Sequence, residues 1–207
     1  MARSLDQART ELRVRQGAGA RYDAASAPAR ELDWARRGTA YFARMLNRLE
    51  DREIDEPSGV VGISRRRIVT YIGLEGRLLG EIIGWLRSRQ NGPLPFGPTP
   101  SSARMADGVT LPVRALRNLF AHSAVHLDVE WRDLDDGQWD AAVECDTGEI
   151  VEVRRTPWQR AVSIWTAAID LRAEGRFSDL PPELAASIEC ESTLRNALRS
   201  RFVMQHC

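Results

Sequence analysis

The chain contains no lysine. All 29 of its basic residues are arginine, so covalent catalysis through a lysine Schiff base is excluded. The skew reads as the mark of a high-GC genome. Charge of one sign is also missing: 29 Arg against 29 Asp and Glu leave a formal net charge of zero. A general nucleic-acid or anionic-membrane surface is therefore not expected, and the expected partner is a small molecule. No apolar run approaches the roughly 18 residues that would span a bilayer, and MARSLDQARTELRVRQ lacks the apolar core of a signal peptide. Cys145, Cys190 and Cys207 are too few and too scattered for a disulfide framework or a zinc ribbon. The cytoplasm is the expected compartment. Glycine-rich phosphate loops and a Ser-His-Asp spacing are absent as well.

What remains is ordinary globular material, 43% hydrophobic and 28% charged, and long enough to bury one core. Residues 1–29 read as a flexible N-terminal segment, with a helical turn or two at 5–14. Helical periodicity then marks four long helices, near 31–49, 64–88, 112–134 and 157–172. Ser64 is a suitable N-cap for the second, and Pro112 suits the first turn of the third. The stretch NGPLPFGPTPSS holds four prolines and two glycines and must be a loop. QWDAAVECDTGEIVEVRR changes to a period of two around Asp-Thr-Gly, which predicts a β-hairpin with Trp139, Ala141 and Val143 alternating. The predicted fold is thus a mostly α, up-and-down bundle over 30–185. A C-terminal helix and tail occupy 186–207, the helix beginning at Pro182 and reaching about Phe202.

Two segments carry a family resemblance. Residues 57–83 read PSGVVGISRRRIVTYIGLEGRLLGEII, and 156–182 read TPWQRAVSIWTAAIDLRAEGRFSDLPP. They resemble the signature segments of the mycothiol-dependent maleylpyruvate isomerases, within the DinB-like four-helix-bundle superfamily. That family shows P-S-x-L-P-G-W-T-R-x-H-x-x-x-H, then W-x-R-x-R-E-V-x-x-H-x-x-D-L followed by F-x-D-L-P. The matches are Pro57-Ser58, Gly62, Pro157-Trp158, Asp170-Leu171 and Phe177 to Pro181. The resemblance implies a divalent metal held by the second His of the first segment and by the Glu and His of the second. Here those three positions are Tyr71, Ser163 and Ala167, a poor set of divalent ligands. The family's second α/β domain would need more than the roughly 25 residues that follow Pro182.

On this reading the candidate catalytic residues are Tyr71, Glu75 and Ser163, with Ala167, Trp85, Phe96 and Trp165 around a ligand pocket beneath the proline-rich loop. Tyr71 is mostly a proton donor, and Ser163 can hydrogen-bond a ligand. Alternatively, Tyr71 simply fills the space of the lost metal and histidine. Glu75 falls in the middle of the second helix's apolar stripe, one turn after Tyr71. A buried carboxylate there is either an acid/base group or a structural partner for an arginine, Arg104 or one of the first helix. His122 and His126 form an H-x-x-x-H pair on the third helix, an alternative relocated metal site that shows no third ligand by spacing. Arg65, Arg66 and Arg67 open the second helix, where they could hold an anion or face solvent. The functional expectation is a metal-independent enzyme, with no cofactor, isomerising or cyclising a small or medium organic molecule in actinobacterial specialised metabolism. The alternatives are a non-catalytic binding or regulatory bundle, and a mycothiol-dependent enzyme with a relocated metal. A homodimer is left open.

Overall fold

The structure, a computed structural model, describes residues 23–88 and 92–190. The expected turns at 5–14 and the tail beyond Cys190 lie outside the described residues. Helix α1 spans Ala29–Arg48 and α2 spans Arg65–Arg87. A short α3, Ser102–Val109, precedes α4, Val113–Arg132. Strands β1, Ala142–Glu144, and β2, Ile150–Glu152, lead into α5, Thr156–Asp170. Helix α6 covers Pro182–Cys190.

The boundaries have local causes. Ser64 Oγ accepts the Arg67 N–H at 3.3 Å and caps α2. Pro112 precedes α4, and Pro157 lies in the first turn of α5, where no N–H is needed. Helix α3 was not separated from the loop by sequence. It starts because Ser101, just past the last proline, accepts the Arg104 N–H at 3.2 Å. The hairpin pairs Val143 with Val151, but Trp139 sits in a tight 3-10 turn over Gln138–Asp140, not in the strand. Its ring is fully buried, so burial rather than strand pairing explains its place in the pattern.

Around the bundle the order is α1, α5, α2, α4, with α1 packed on α5 and α2 on α4. Ile68, Ile72, Leu79 and Ile82 of α2 are buried as the period predicts, and Leu86 is half-buried. The α2–α4 contact uses glycine. A Cβ on Gly80 would lie 2.7 Å from His126 Nδ1, so a side chain there would displace the imidazole that packs on this face. Helix α5 runs antiparallel to α2. Gly59 N donates to Asp170 O at 2.6 Å at one end, and Arg160 Nη1 donates to Ile72 O at 2.8 Å near the middle. The seam where α4 meets α1 is the loosest.

The non-helical segments are tied down by charge. Asp23 pairs with Arg36 at 2.6 Å, and Ser26 N donates to Asp136 Oδ1 at 2.8 Å. The flexible reading of 1–29 therefore does not extend over residues 23–28. Arg65 Nε donates to Leu171 O at 2.8 Å, and Arg66 Nη1 to Leu111 O at 2.7 Å. These two arginines bind the loop and helix ends to each other, neither solvated nor poised for an anion. No helix among the described residues is long and apolar enough to cross a membrane.

Candidate functional site

The three inherited positions come from facing stretches of α2 and α5 and are closed to water. Tyr71 is 1% exposed, Ser163 2% and Ala167 0%. Ser163 Oγ is buried with no hydrogen-bond partner among the described residues. Glu75, one turn on from Tyr71, is buried as expected. Its partner is not Arg104 or an arginine of α1 but Arg160 of α5, whose Nη1 reaches Glu75 Oε2 at 2.7 Å. Arg104 instead stacks over Phe96 and meets Glu81 at 3.3 Å. The sequence missed Arg160 because an arginine between Gln159 and Ala161 reads as surface. Its place one turn before Ser163 on an inward face, and its match to the arginine of the W-x-R pattern, could have singled it out.

The other proposed pocket residues do not gather. Ala167 lies near the end of α5 that meets Gly59. Trp85 is about 21 Å along α2 from Tyr71, counting 1.5 Å per residue. Trp85 and Phe96 are half-buried at the far end. There the proline-rich loop docks on the hairpin, Leu94 N donating to Glu144 O and Leu94 O accepting from Asp146 N, each at 2.8 Å. Trp165 faces α1: its Nε1 donates to Trp34 O at 2.9 Å, and its ring stacks on Tyr41 at 4.7 Å. A common pocket beneath the loop is therefore not formed.

Clefts open elsewhere among the described residues. One, about 840 Å³, is shallow and edged by Arg37, Arg44, Tyr41, Trp165, Arg176 and Asp179. In it the Tyr41 hydroxyl donates to Asp179 Oδ2 at 2.5 Å. Burial and that bond push the phenol above its ordinary pKa, while the same bond holds the Asp179 carboxyl below its own. A second cleft of about 300 Å³ lies in the α1–α4 seam and reaches Arg160. A third, about 360 Å³, holds His122 and His126 with Arg77 and Glu81. His126 is half-exposed, packed on Gly80 and 3.4 Å from Glu130. His122 is exposed. Glu81 is taken up by Arg77 and Arg104. No group of three or more His, Cys, Asp or Glu is arranged to hold a metal among the described residues. Cys145 is a buried free thiol, its pKa pushed up by burial.

The donor set at the inherited positions does not fit a divalent ion. Ala167 has no donor atom, and a neutral phenol and hydroxyl are weak ligands without an imidazole or carboxylate beside them. A low-molecular-weight thiol would find no metal there to lower its pKa.

A four-helix bundle of DinB-like type, with a hairpin before its fourth helix, is the class this architecture defines; α2 runs parallel to α4 and α1 parallel to α5, rather than strictly up and down. The family model for the mycothiol maleylpyruvate isomerase N-terminal domain matches residues 35–172, and the chain belongs to that family. Two crystal structures of the mycothiol-dependent maleylpyruvate isomerase, one of a point mutant, are similar to it. Each is 29% identical with a TM-score of 0.71, covering 79% of this chain and 68% of theirs. No curated protein sequence matches the chain.

Proposed function

We propose that this chain is a metal-independent, ligand-binding bundle that keeps the isomerase scaffold and has given up the metal-thiol reaction. The observation behind this reading is the closure of Tyr71, Ser163 and Ala167 to water together with a donor set that cannot hold the ion. A site that has lost its ligands and its access serves the fold. Glu75 and Arg160 then act as a structural ion pair between α2 and α5. The ligand is a small organic molecule, because a bundle seam supplies a cleft of that size and no extended charged surface.

A second reading is favoured by family membership, since the solved relatives are isomerases. In it the bundle catalyses a metal-free isomerisation or cyclisation in specialised metabolism, using Tyr71 and Glu75 as acid and base. It requires α2 and α5 to part enough to admit a substrate.

Turnover separates these readings from the family's chemistry. Purified protein loaded with zinc, given mycothiol and maleylpyruvate, is expected to show no isomerisation above background. Turnover abolished by a chelator would overturn the proposal. Metal-independent turnover that is lost in Tyr71→Phe would put the second reading first.

A further inference from the structure

The seam between α1 and α4 ends on a buried cation that is only half used. Arg160 is 1% exposed. Its Nη1 is engaged by Glu75 Oε2 at 2.7 Å and Ile72 O at 2.8 Å. Its Nε and Nη2 are both buried and have no hydrogen-bond partner among the described residues. Those two nitrogens lie on one edge of the guanidinium, and their N–H bonds run parallel. That is the fork that receives both oxygens of a carboxylate. Donors of this kind left unmet in a protein interior cost free energy, so a persistent pair needs an acceptor.

The cleft in the seam supplies space next to Arg160, and because both nitrogens are closed to solvent in this structure, α1 and α4 must part at their loose contact to admit a carboxylate to them. The cleft measures about 300 Å³ and includes Arg160 in its lining. Ala124, Leu127 and Trp131 give it apolar walls. Arg132 lines the same cleft, and its Nε is also buried without a partner. The remaining charges at the mouth are already balanced: Arg36 pairs with Asp128 at 2.7 Å and with Asp23 at 2.6 Å. Gly76 is part of the design, since a Cβ there would lie 3.1 Å from Arg160 Nη2 and would crowd the fork.

We propose that the α1–α4 seam binds a small monocarboxylate with an apolar body, its carboxylate held by Arg160 Nε and Nη2 and its body against Leu127 and Trp131. The proposal rests on the ligand-binding reading above and names the ligand class for it. The volume admits about ten to twelve non-hydrogen atoms, at the small end of ligand pockets.

The test uses the full chain and 3-phenylpropionate as probe, with its methyl ester and phenyl phosphate as comparisons, by calorimetry and ligand-observed NMR. The acid is expected to bind one to one, at least tenfold more tightly than either comparison. Ala124→Phe, which fills the seam and leaves the Glu75–Arg160 pair in place, is expected to abolish binding with an unchanged melting temperature. The charge-balanced double variant Glu75→Gln, Arg160→Met is expected to abolish it too. Equal binding of acid and ester, preference for the phosphate, or binding that survives Ala124→Phe overturns the assignment. So does a failure of any acid to bind, which would leave only water on the fork. A neutral probe that binds and is lost in Ala124→Phe would overturn the carboxylate while leaving the ligand-binding reading standing. Chelator-sensitive turnover would sink that reading separately.

Discussion

Glu75 and Arg160 show how one residue changes meaning with its partner. A carboxylate in an apolar stripe is a candidate acid, and its removal could stabilise a fold that buries it alone. Here it faces a guanidinium at 2.7 Å with both side chains buried. Replacing it with Gln leaves a buried cation without its counter-charge, and breaking such a pair costs about 3–5 kcal/mol. Glu75→Gln should therefore lower the urea midpoint substantially. The double variant with Arg160→Met should recover most of the loss, since an apolar pair of similar volume is tolerated. An unchanged midpoint in Glu75→Gln would show that the pair contributes nothing. The same residues mark how far the sequence could be read. The stripe on α2 placed Glu75 inside, because period alone decides burial on a helix. It could not choose the arginine, because the choice depends on how α5 lies against α2.

At the level of elements, the helices were legible from caps and periods, while the way they touch was not. Ser64, Pro112 and Pro157 each stand where a helix starts, and the boundaries follow. The hairpin was legible from its turn, although Trp139 belongs to the turn before it. The pocket failed because it joined residues from opposite ends of α2, a separation that the helix rise already implied for the predicted helix. The H-x-x-x-H pair misled for a related reason. His126 packs against the Gly80 backbone, so the spacing serves the α2–α4 contact. Gly80→Ala places a methyl group 2.7 Å from His126 Nδ1 and should cost about 1–3 kcal/mol by overpacking. His126→Ala in the same background should recover it. If Gly80→Ala melts with the parent, the His126 ring is not held against the Gly80 backbone.

Over the whole molecule, aspartates fasten the irregular segments to the bundle. The hydrogen bond from Arg36 holds the Asp23 carboxyl below its ordinary pKa, and the bond from Arg66 does the same for Asp55. Asp179 is lowered by Tyr41. A carboxyl whose pKa is lower in the fold than in the unfolded chain adds stability above the unfolded value, roughly 3.9. That contribution is lost as pH falls through the folded value. The melting temperature should thus drop below about pH 4, and Arg36→Ala should flatten part of that drop. A parent protein whose melting is level through this range would refute the assignment. Family membership was legible in Pro57-Ser58, Asp170-Leu171 and the Phe177 to Pro181 run because these hold loops and helix ends, which every bundle of this kind must make. The same scaffold without its ligands is the central claim, and zinc stoichiometry after equilibrium dialysis tests it most directly. The parent protein should retain far less than one equivalent, and the triple variant Tyr71→His, Ser163→Glu, Ala167→His should approach one. A parent that keeps a full equivalent, and loses it on Tyr71→Phe or Ser163→Ala, would contradict the account.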